Sequence, residues 1–235
     1  MLTAKFAGNP TTSYMTIVVI TEAKTEKDLA ASFPAPGNKW ILVRTAAEAA
    51  AYPGADAYID LDFVNEPGRV DVLKRLVPGV VLVNAVVATL EEIGSPFVRI
   101  NGWPGFLERT IHELAIPKEL SDDRLTKLKD QLTGLYEKLG REYRLVPDTP
   151  GMISGCILAT IINEAYYTWE EEVSTREEID IAMKLGTNYP LGPFEWGQRI
   201  GLEKVADLLT ALSKDNGRYT PSNSLLKAAK VLKYD

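Results

Sequence analysis

The sequence predicts an α/β domain with a doubly wound parallel sheet, followed by an all-α domain. In the first part of the chain, short β-branched apolar runs alternate with helical stretches, which is typical of a parallel sheet covered by helices. After residues 148–150 only helical patterns remain. The 235 residues fit one large domain or two small ones, since a typical domain has about 150. We therefore divide the chain into residues 1–148, with 1–14 as an extension, and residues 149–235.

The strands of the first domain are predicted from short apolar runs bounded by turn residues. They are Thr16–Ile20, Trp40–Val43, Ala57–Leu61, Val80–Asn84, Phe97–Ile100, Ile111–Ile116 and Tyr143–Val146. Between them we predict helices over Glu26–Ser32, Ala46–Ala51, Arg69–Leu76 and Asp122–Leu139. The last helix has leucines at helical spacing, Ser121 as its N-cap and Gly140 at its end.

The second domain begins with a long predicted helix, capped by Asp148 or Thr149 and carrying Pro150 in its first turn. Its apolar residues recur at i, i+4 spacing from Ile153 to Trp169, through positions 157, 161 and 165.

The remaining helices are predicted from their end signals. Thr175 and Glu178 have capping-box spacing at the start of one helix, and Gly186 ends it. The next begins near Pro193, and two more follow over Leu202–Leu212 and Ser222–Leu232. Because these helices carry more apolar faces than they can bury together, we expect a second subunit to cover one of them.

Composition excludes several classes of function. With 26 basic and 32 acidic residues the net charge is −6, which gives no general attraction to nucleic acid or anionic lipid. The single cysteine, Cys156, and the single histidine, His112, exclude an intrachain disulfide and a His/Cys zinc cage. No apolar run approaches the roughly 18 residues of a membrane span, and residues 1–14 lack a signal-peptide core, so we expect a cytoplasmic protein. The sequence leaves open whether Met1 or Met15 starts the native chain.

Four segments carry a resemblance to a known family. They are residues 148–151 (DTPG), 163–165 (NEA), 177–195 (EEIDIAMKLGTNYPLGPFE) and 218–222 (RYTPS). Through them the chain resembles the 3-hydroxyacyl-CoA dehydrogenases, including 3-hydroxybutyryl-CoA dehydrogenases. The resemblance implies a Rossmann-like first domain, a helical domain that forms a homodimer, and NAD-dependent oxidation of 3-hydroxyacyl-CoA in fatty acid metabolism.

The dinucleotide motif of this fold is absent. A pyrophosphate needs glycines after the first strand so that backbone amides can approach it, whereas residues 21–25 contain none. Glu22 adds negative charge there, which Lys24 partly offsets. The second strand ends in Arg44, which would suit the 2′-phosphate of NADP. We predict no cofactor, and Lys24 and Arg44 are the candidates for holding NAD(P) under the alternative.

The catalytic positions implied by the resemblance are also changed. The family's histidine base is matched by Asn101, while its glutamate partner twelve residues later is retained as Glu113. An amide has no useful basicity near neutral pH, so the proton abstraction does not carry over. In the family's Ser-Asn-Thr-Ser segment Asn84 is retained, but the hydroxyl position is Val86. If the strand at 111–116 is extended, His112 and Glu113 point to opposite faces and form no dyad.

Three functions remain open from the sequence. The first is a relative that has lost hydride transfer and keeps a scaffold, binding or regulatory role in acyl-CoA metabolism, with a small molecule or acyl-CoA as ligand. The second is an active NAD(P)-dependent oxidoreductase on a 3-hydroxyacyl-CoA or another small hydroxy substrate, with Glu113 or a water as base. The third is a different reaction in an interdomain cleft built on Asn84, Asn101, Trp103 and Glu113.

Overall fold

A computed structural model describes residues 14–22, 29, 32–33, 37–77, 79–94 and 96–231. Within these residues seven strands form one sheet in the order β2-β1-β3-β4-β5-β6-β7. Their bounds are β1 Thr16–Ile20, β2 Lys39–Val43, β3 Ala57–Asp60, β4 Val80–Val83, β5 Val98–Ile100, β6 Ile111–Ala115 and β7 Glu142–Leu145. All seven predicted strands are present, each within a residue or two of its predicted ends.

The sheet is parallel except at one pair. Strands β1 to β5 pair in parallel, β6 is antiparallel to β5, and β7 returns parallel to β6. Every residue of β3 and β4 is buried, as expected for strands covered on both faces. The strand order reverses between β1 and β3, so the carboxyl ends of these strands flank the crevice where ligands bind in doubly wound sheets.

Helices cover both faces of the sheet. In the first domain these are α1 Ala46–Ala49, α2 Pro67–Lys74, α3 Leu90–Ile93 and α4 Asp122–Leu139. In β1, Ile17 and Val19 belong to the core that includes α4, whereas Val18 and Ile20 belong to the core beneath α1, α2 and α3. The α/β fold predicted from the alternating pattern is therefore confirmed. Most of the predicted helix Glu26–Ser32 lies outside the described residues, and the short α3 was not predicted.

The second domain is helical throughout its described residues. Its helices are α5 Ser154–Glu170, α6 Arg176–Thr187, α7 Pro193–Ile200, α8 Leu202–Ser213 and α9 Asn223–Val231, with a 3₁₀ turn at Gly217–Tyr219. None of the described helices is long and apolar enough to cross a membrane.

The predicted start of the long helix is wrong. Helix α5 begins at Ser154, because Gly151 and Met152 take left-handed conformations with φ of 76° and 50° that interrupt a helix. Neither Asp148 nor Thr149 caps it. Asp148 instead forms an ion pair with the fully buried Arg99 and accepts the backbone N–H of Leu90 at 2.9 Å.

The predicted end of the next helix is also wrong. Helix α6 continues through Gly186 to Thr187 and ends at Asn188, whose φ of 56° is the left-handed cap that glycine or asparagine supplies. The capping box of Thr175 and Glu178 is confirmed, with the Glu178 N–H donating to Thr175 Oγ1 at 3.2 Å.

Buried Arg99 joins the two domains. Its Nε donates to the Ala85 carbonyl at 2.7 Å and its Nη2 to the Val86 carbonyl at 3.0 Å. Its Nη1 donates to Asp148 and to the Thr149 carbonyl. A single side chain therefore ties the end of β4 to the segment that leads into the helical domain.

The core of the helical domain extends into the α/β domain. Leu158, Ile162 and Tyr166 of α5 pack in a cluster that also contains Val86 and Trp103. The predicted apolar stripe of α5 is only partly in this core, since Ala165 is buried while Ile153 and Ile157 are 49% and 56% exposed.

Candidate functional site

Glu113 lies at the start of helix α5. Its carboxylate, on β6, accepts the backbone N–H of Ile153 at 3.2 Å and that of Ser154 at 3.1 Å. These amides are unpaired donors of a helix N-terminus, where the helix dipole also favours a negative charge. The N-cap residue, Ile153, has no polar side chain to serve them. Glu113 therefore caps α5 from the neighbouring domain.

Asn101 lies beside Glu113, just after β5, and is almost fully buried. Its Oδ1 accepts the Trp103 backbone N–H at 3.2 Å, and its Nδ2 is 3.5 Å from Ser154 Oγ. The amide oxygen is thus used within its own turn. An amide side chain has hydrogen-bonding capacity but no proton-accepting capacity near neutral pH.

Asn84 fastens three loops at the carboxyl edge of the sheet. Its Nδ2 donates to the Leu61 carbonyl at 2.9 Å, and its Oδ1 accepts the Gly102 N–H at 2.8 Å. A Cβ at Gly102 would lie 2.8 Å from Asn84 Cγ, so this approach requires glycine. These bonds leave Asn84 in a structural role.

A small cleft of about 40 Å³ joins Asn101, Glu113 and Ser154, and Phe106, Arg109, Ile111 and His112 also line it. This volume holds about one or two water molecules, far less than the roughly 300–1,000 Å³ of a small-molecule pocket. The structure thus brings Asn101 and Glu113 together. Asn84 and Trp103 do not line the cleft, and Trp103 is instead part of the helical core.

His112 lies on the opposite face of β6 from Glu113, as the alternation of strand residues predicts. Its Nδ1 is 3.3 Å from the Tyr136 hydroxyl and its Nε2 is 3.0 Å from the Leu107 carbonyl. Burial lowers the pKa of His112 below its ordinary value, so the ring is neutral in the folded protein near neutral pH. His112 is a packed core residue, with its ring edge-on to Phe33 and Tyr136.

Acidic residues lie at the carboxyl ends of β1 and β3. Asp62 accepts the backbone N–H of Glu22 through Oδ2 at 2.5 Å. Asp60 is fully buried and accepts two N–H groups of Arg69, at 2.8 and 2.6 Å. Burial raises the pKa of Asp60, and the hydrogen bond from Arg69 acts in the opposite direction. The sequence reasoning missed Asp62, although an Asp-x-Asp pair at the end of a buried strand marks the position.

The two cofactor candidates from the sequence have different outcomes. Arg44 is exposed at the end of β2, and its backbone N–H donates to Glu48 Oε2 at 3.0 Å. Lys24 lies outside the described residues. For metals, no group of three or more His, Cys, Asp or Glu side chains in the described ranges could hold an ion.

A second groove, of about 310 Å³, lies between the domains. The loops after β3 and β4 form one side of it, with Asn65, Val87 and Ala88, and Glu92 of α3 adjoins them. Helix α8 and its end form the other side, with Asp207, Thr210, Ala211 and Lys214. Its volume is at the lower end of the range for small-molecule sites.

Sequence comparisons match the helical domain. Residues 151–233 match the family model "3-hydroxyacyl-CoA dehydrogenase, C-terminal domain". The chain is 39% identical over 92 residues to a 3-hydroxybutyryl-CoA dehydrogenase of Bradyrhizobium diazoefficiens, covering 38% of this chain and 31% of that protein. It is 37% identical over 95 residues to the 3-hydroxyadipyl-CoA dehydrogenase of Escherichia coli, covering 40% of this chain and 20% of that protein. The matches thus span about a third or less of these relatives.

Structural comparison extends the likeness to both domains. The (S)-3-hydroxybutyryl-CoA dehydrogenase of Ralstonia eutropha superposes with a TM-score of 0.72, covering 94% of each chain at 20% identity. At this identity the likeness shows the fold alone.

Proposed function

We propose that this chain is a member of the 3-hydroxyacyl-CoA dehydrogenase family without NAD-dependent hydride transfer, and the match of its helical domain to the family's C-terminal domain supports the membership. It keeps the two-domain scaffold as a binding or regulatory protein of acyl-CoA metabolism. The observation that carries this proposal is the state of the catalytic pair, with Glu113 bonded to the first amides of α5 and Asn101 at the base position.

Hydride transfer from a secondary alcohol needs a general base at the hydroxyl. Asn101 cannot take up the proton, and Glu113 holds two backbone N–H groups that would lose their acceptor if it turned toward a substrate. Loss of a general base alone typically lowers a rate by about 10²–10⁴-fold. The cleft beside these residues, of about 40 Å³, is also too small for an acyl chain in this conformation.

The ligand of this proposal is a small molecule or an acyl-CoA, the class that the relatives' names suggest. The interdomain groove of about 310 Å³ is the candidate place for it. Val87, Ala88 and Ala211 provide apolar surface there, and Lys214 provides a cation suited to a phosphate or carboxylate.

The proposal includes a homodimer formed through the helical domain, in the cytoplasm. Exposed apolar side chains are concentrated on α5, α6 and the residues that follow α6. They include Ile157 at 56%, Ile181 at 52% and Leu185 at 82% exposure. Such a surface is typical of a face that a second subunit covers.

The dimer is tested by Leu185→Glu, with Val64→Glu as the matched control. Val64 is also apolar and 51% exposed but lies on the α/β domain. Sedimentation equilibrium is expected to show a dimer for the wild type and for Val64→Glu, and a monomer for Leu185→Glu. A monomeric wild type, or two variants that dimerise equally, would contradict the proposal that this surface forms the dimer interface.

Catalysis is tested by following absorbance of NADH and NADPH with acetoacetyl-CoA. We expect the purified wild type to give no turnover above a protein-free blank. The alternative is an active oxidoreductase in which Glu113, which borders the cleft, or a water acts as base. That alternative is established if the wild type turns over and Glu113→Gln abolishes the reaction while Glu119→Gln, on an exposed loop, does not.

A further inference from the structure

Among the described residues at the strand-order reversal, Glu22 offers a backbone donor suited to an anion. In doubly wound sheets, the N–H groups of the turn after the first strand bind ligand phosphates at this place. Here that turn begins after Ile20, and the N–H of Glu22 points toward β3. It donates to Asp62 Oδ2 at 2.5 Å, so a carboxylate of the protein already occupies the anion position.

Asp62 is held in place by the sheet. Ile20 and Asp60 are register partners in β1 and β3, and the Leu61 N–H donates to the Ile20 carbonyl at 3.0 Å. The Leu61 carbonyl in turn accepts Nδ2 of Asn84. These bonds fix the backbone next to Asp62, so its side chain is held within hydrogen-bonding distance of the Glu22 N–H.

The described side chains at this point are mostly acidic, which is unfavourable to a phosphate. Glu22, Asp60 and Asp62 are three carboxyl groups around the ends of β1 and β3. Arg69 reaches the same end of β3, but it gives Nε and Nη2 to Asp60. A pyrophosphate placed there would meet like charges and an amide that already has an acceptor.

We propose that Asp62 is an internal ligand that occupies the dinucleotide-phosphate position and so excludes NAD(H) and related nucleotides from the crevice. Its hydrogen bond is charge-assisted, and it forms within one chain, without the loss of translational freedom that a free nucleotide must pay. The inference rests on the proposed function in one respect, because it supplies a reason for the loss of the cofactor that is separate from the catalytic residues.

The other end of β1 offers a matched control. Asp56, just before β3, accepts the Thr16 N–H through Oδ2 at 2.7 Å. The two aspartates thus make the same kind of bond at opposite ends of one strand. Ligands bind at the carboxyl ends of parallel strands, so only the Asp62 bond closes a ligand crevice.

The test is a titration of isotope-labelled full chain with ADP, observed through the backbone amides of Glu22 and Thr16 by NMR. In the wild type and in Asp56→Ala we expect no saturable shift of the Glu22 amide at millimolar ADP. In Asp62→Ala we expect a saturable shift and an affinity at least about tenfold above that of Asp56→Ala, equivalent to about 1.4 kcal/mol. A saturable Glu22 shift in the wild type, or equal affinities of the two variants, overturns the proposal.

Asp62→Asn serves if Asp62→Ala does not fold, because it keeps an oxygen acceptor of the same shape and removes the charge. It is expected to bind ADP more tightly than Asp56→Asn, and equal affinity overturns the proposal. ADP has no nicotinamide, so the titration reports on the crevice alone. Wild-type binding of ADP without turnover therefore defeats this inference and leaves the proposed function intact, whereas turnover defeats the proposed function itself.

Discussion

The two domains resemble known proteins in different ways. The helical domain matches the family model over residues 151–233, whereas the likeness of the whole chain is one of fold, at 20% identity over 94% of its length. In the helical domain the matched residues mainly build a core and an exposed apolar face. In the α/β domain the polar groups at the sheet edge bond to the protein itself, as Glu113 does to Ser154 and Asp62 does to Glu22. Backbone donors need acceptors whether or not a ligand is present, so internal carboxylates fill that need.

Replacing Arg99, which links the two domains, should cause the largest loss of stability. Arg99→Met removes one partner of an ion pair whose side chains are 0% and 4% exposed, and it also removes the hydrogen bonds from Arg99 to the carbonyls of Ala85 and Val86. We expect the free energy of unfolding to fall by about 3–5 kcal/mol, measured by urea denaturation.

The control for this change is Lys184→Met. Its ion pair with Glu195 has side chains that are 34% and 39% exposed, so its loss should cost only about 0–1 kcal/mol. Equal losses in the two variants would show that Arg99 does not hold the domains together.

Packing within the helical domain predicts the next largest effect. A Cβ at Gly192 would lie 2.3 Å from Asp180 Cγ, and Asp180 accepts the N–H groups of Phe194 at 2.8 Å and Glu195 at 3.2 Å. Gly192→Ala should therefore push this carboxylate off the first turn of α7, at a cost of about 1–3 kcal/mol. Gly68→Ala is the control, because no described atom lies within 4 Å of its Cβ position. An unchanged denaturation midpoint for Gly192→Ala would contradict the close approach.

Buried His112, in the α/β domain, makes the free energy of unfolding depend on pH. His112 has a folded-state pKa lowered by burial, so the unfolded chain binds its proton more readily. The stability it contributes is present above about pH 6.5 and is lost as the pH falls below that value toward the folded pKa, with a slope of at most about 1.4 kcal/mol per pH unit. His112→Gln should have a flatter dependence of unfolding free energy between about pH 7 and 5.5. Parallel curves for the two proteins would show that folding leaves the pKa of His112 unchanged and would contradict this prediction.

The smallest expected change in stability concerns Gly186, near the end of helix α6. Gly186 lies inside this helix, and no described atom is within 4 Å of its Cβ position. Gly186→Ala should stabilise the protein by up to about 1 kcal/mol through helix propensity. Gly140→Ala should do the opposite, because Gly140 has a φ of 64° as the cap of α4. A loss of stability in Gly186→Ala would support the helix stop that the sequence suggested.

The sequence predicted the elements that depend on local pattern. Apolar runs located β1, β3 and β4, and the spacing of Thr175 and Glu178 located the start of α6, because these signals lie within a few residues of one another. The start of α5 was misplaced because the conformations of Gly151 and Met152 are not visible in a helical pattern.

The candidate site was predicted in part. The resemblance pairs Asn101 with Glu113, and both residues line one cleft in the structure, while their roles stay a prediction. It could not supply their hydrogen-bond partners, since Glu113 and Ser154 are 41 residues apart and Glu22 and Asp62 are 40 apart. Such bonds depend on the tertiary structure, which brings side chains and backbone amides together from distant parts of the sequence.

The bond between Asp62 and Glu22 has a consequence for engineering nucleotide binding into this chain. Introducing glycines into residues 21–25 alone would leave the Glu22 amide with its carboxylate, and replacing Asp62 alone would leave the turn without glycine. Under our proposal, removing the Asp62 carboxylate is the step that frees the Glu22 amide, and glycines in the turn would strengthen nucleotide binding only after that step.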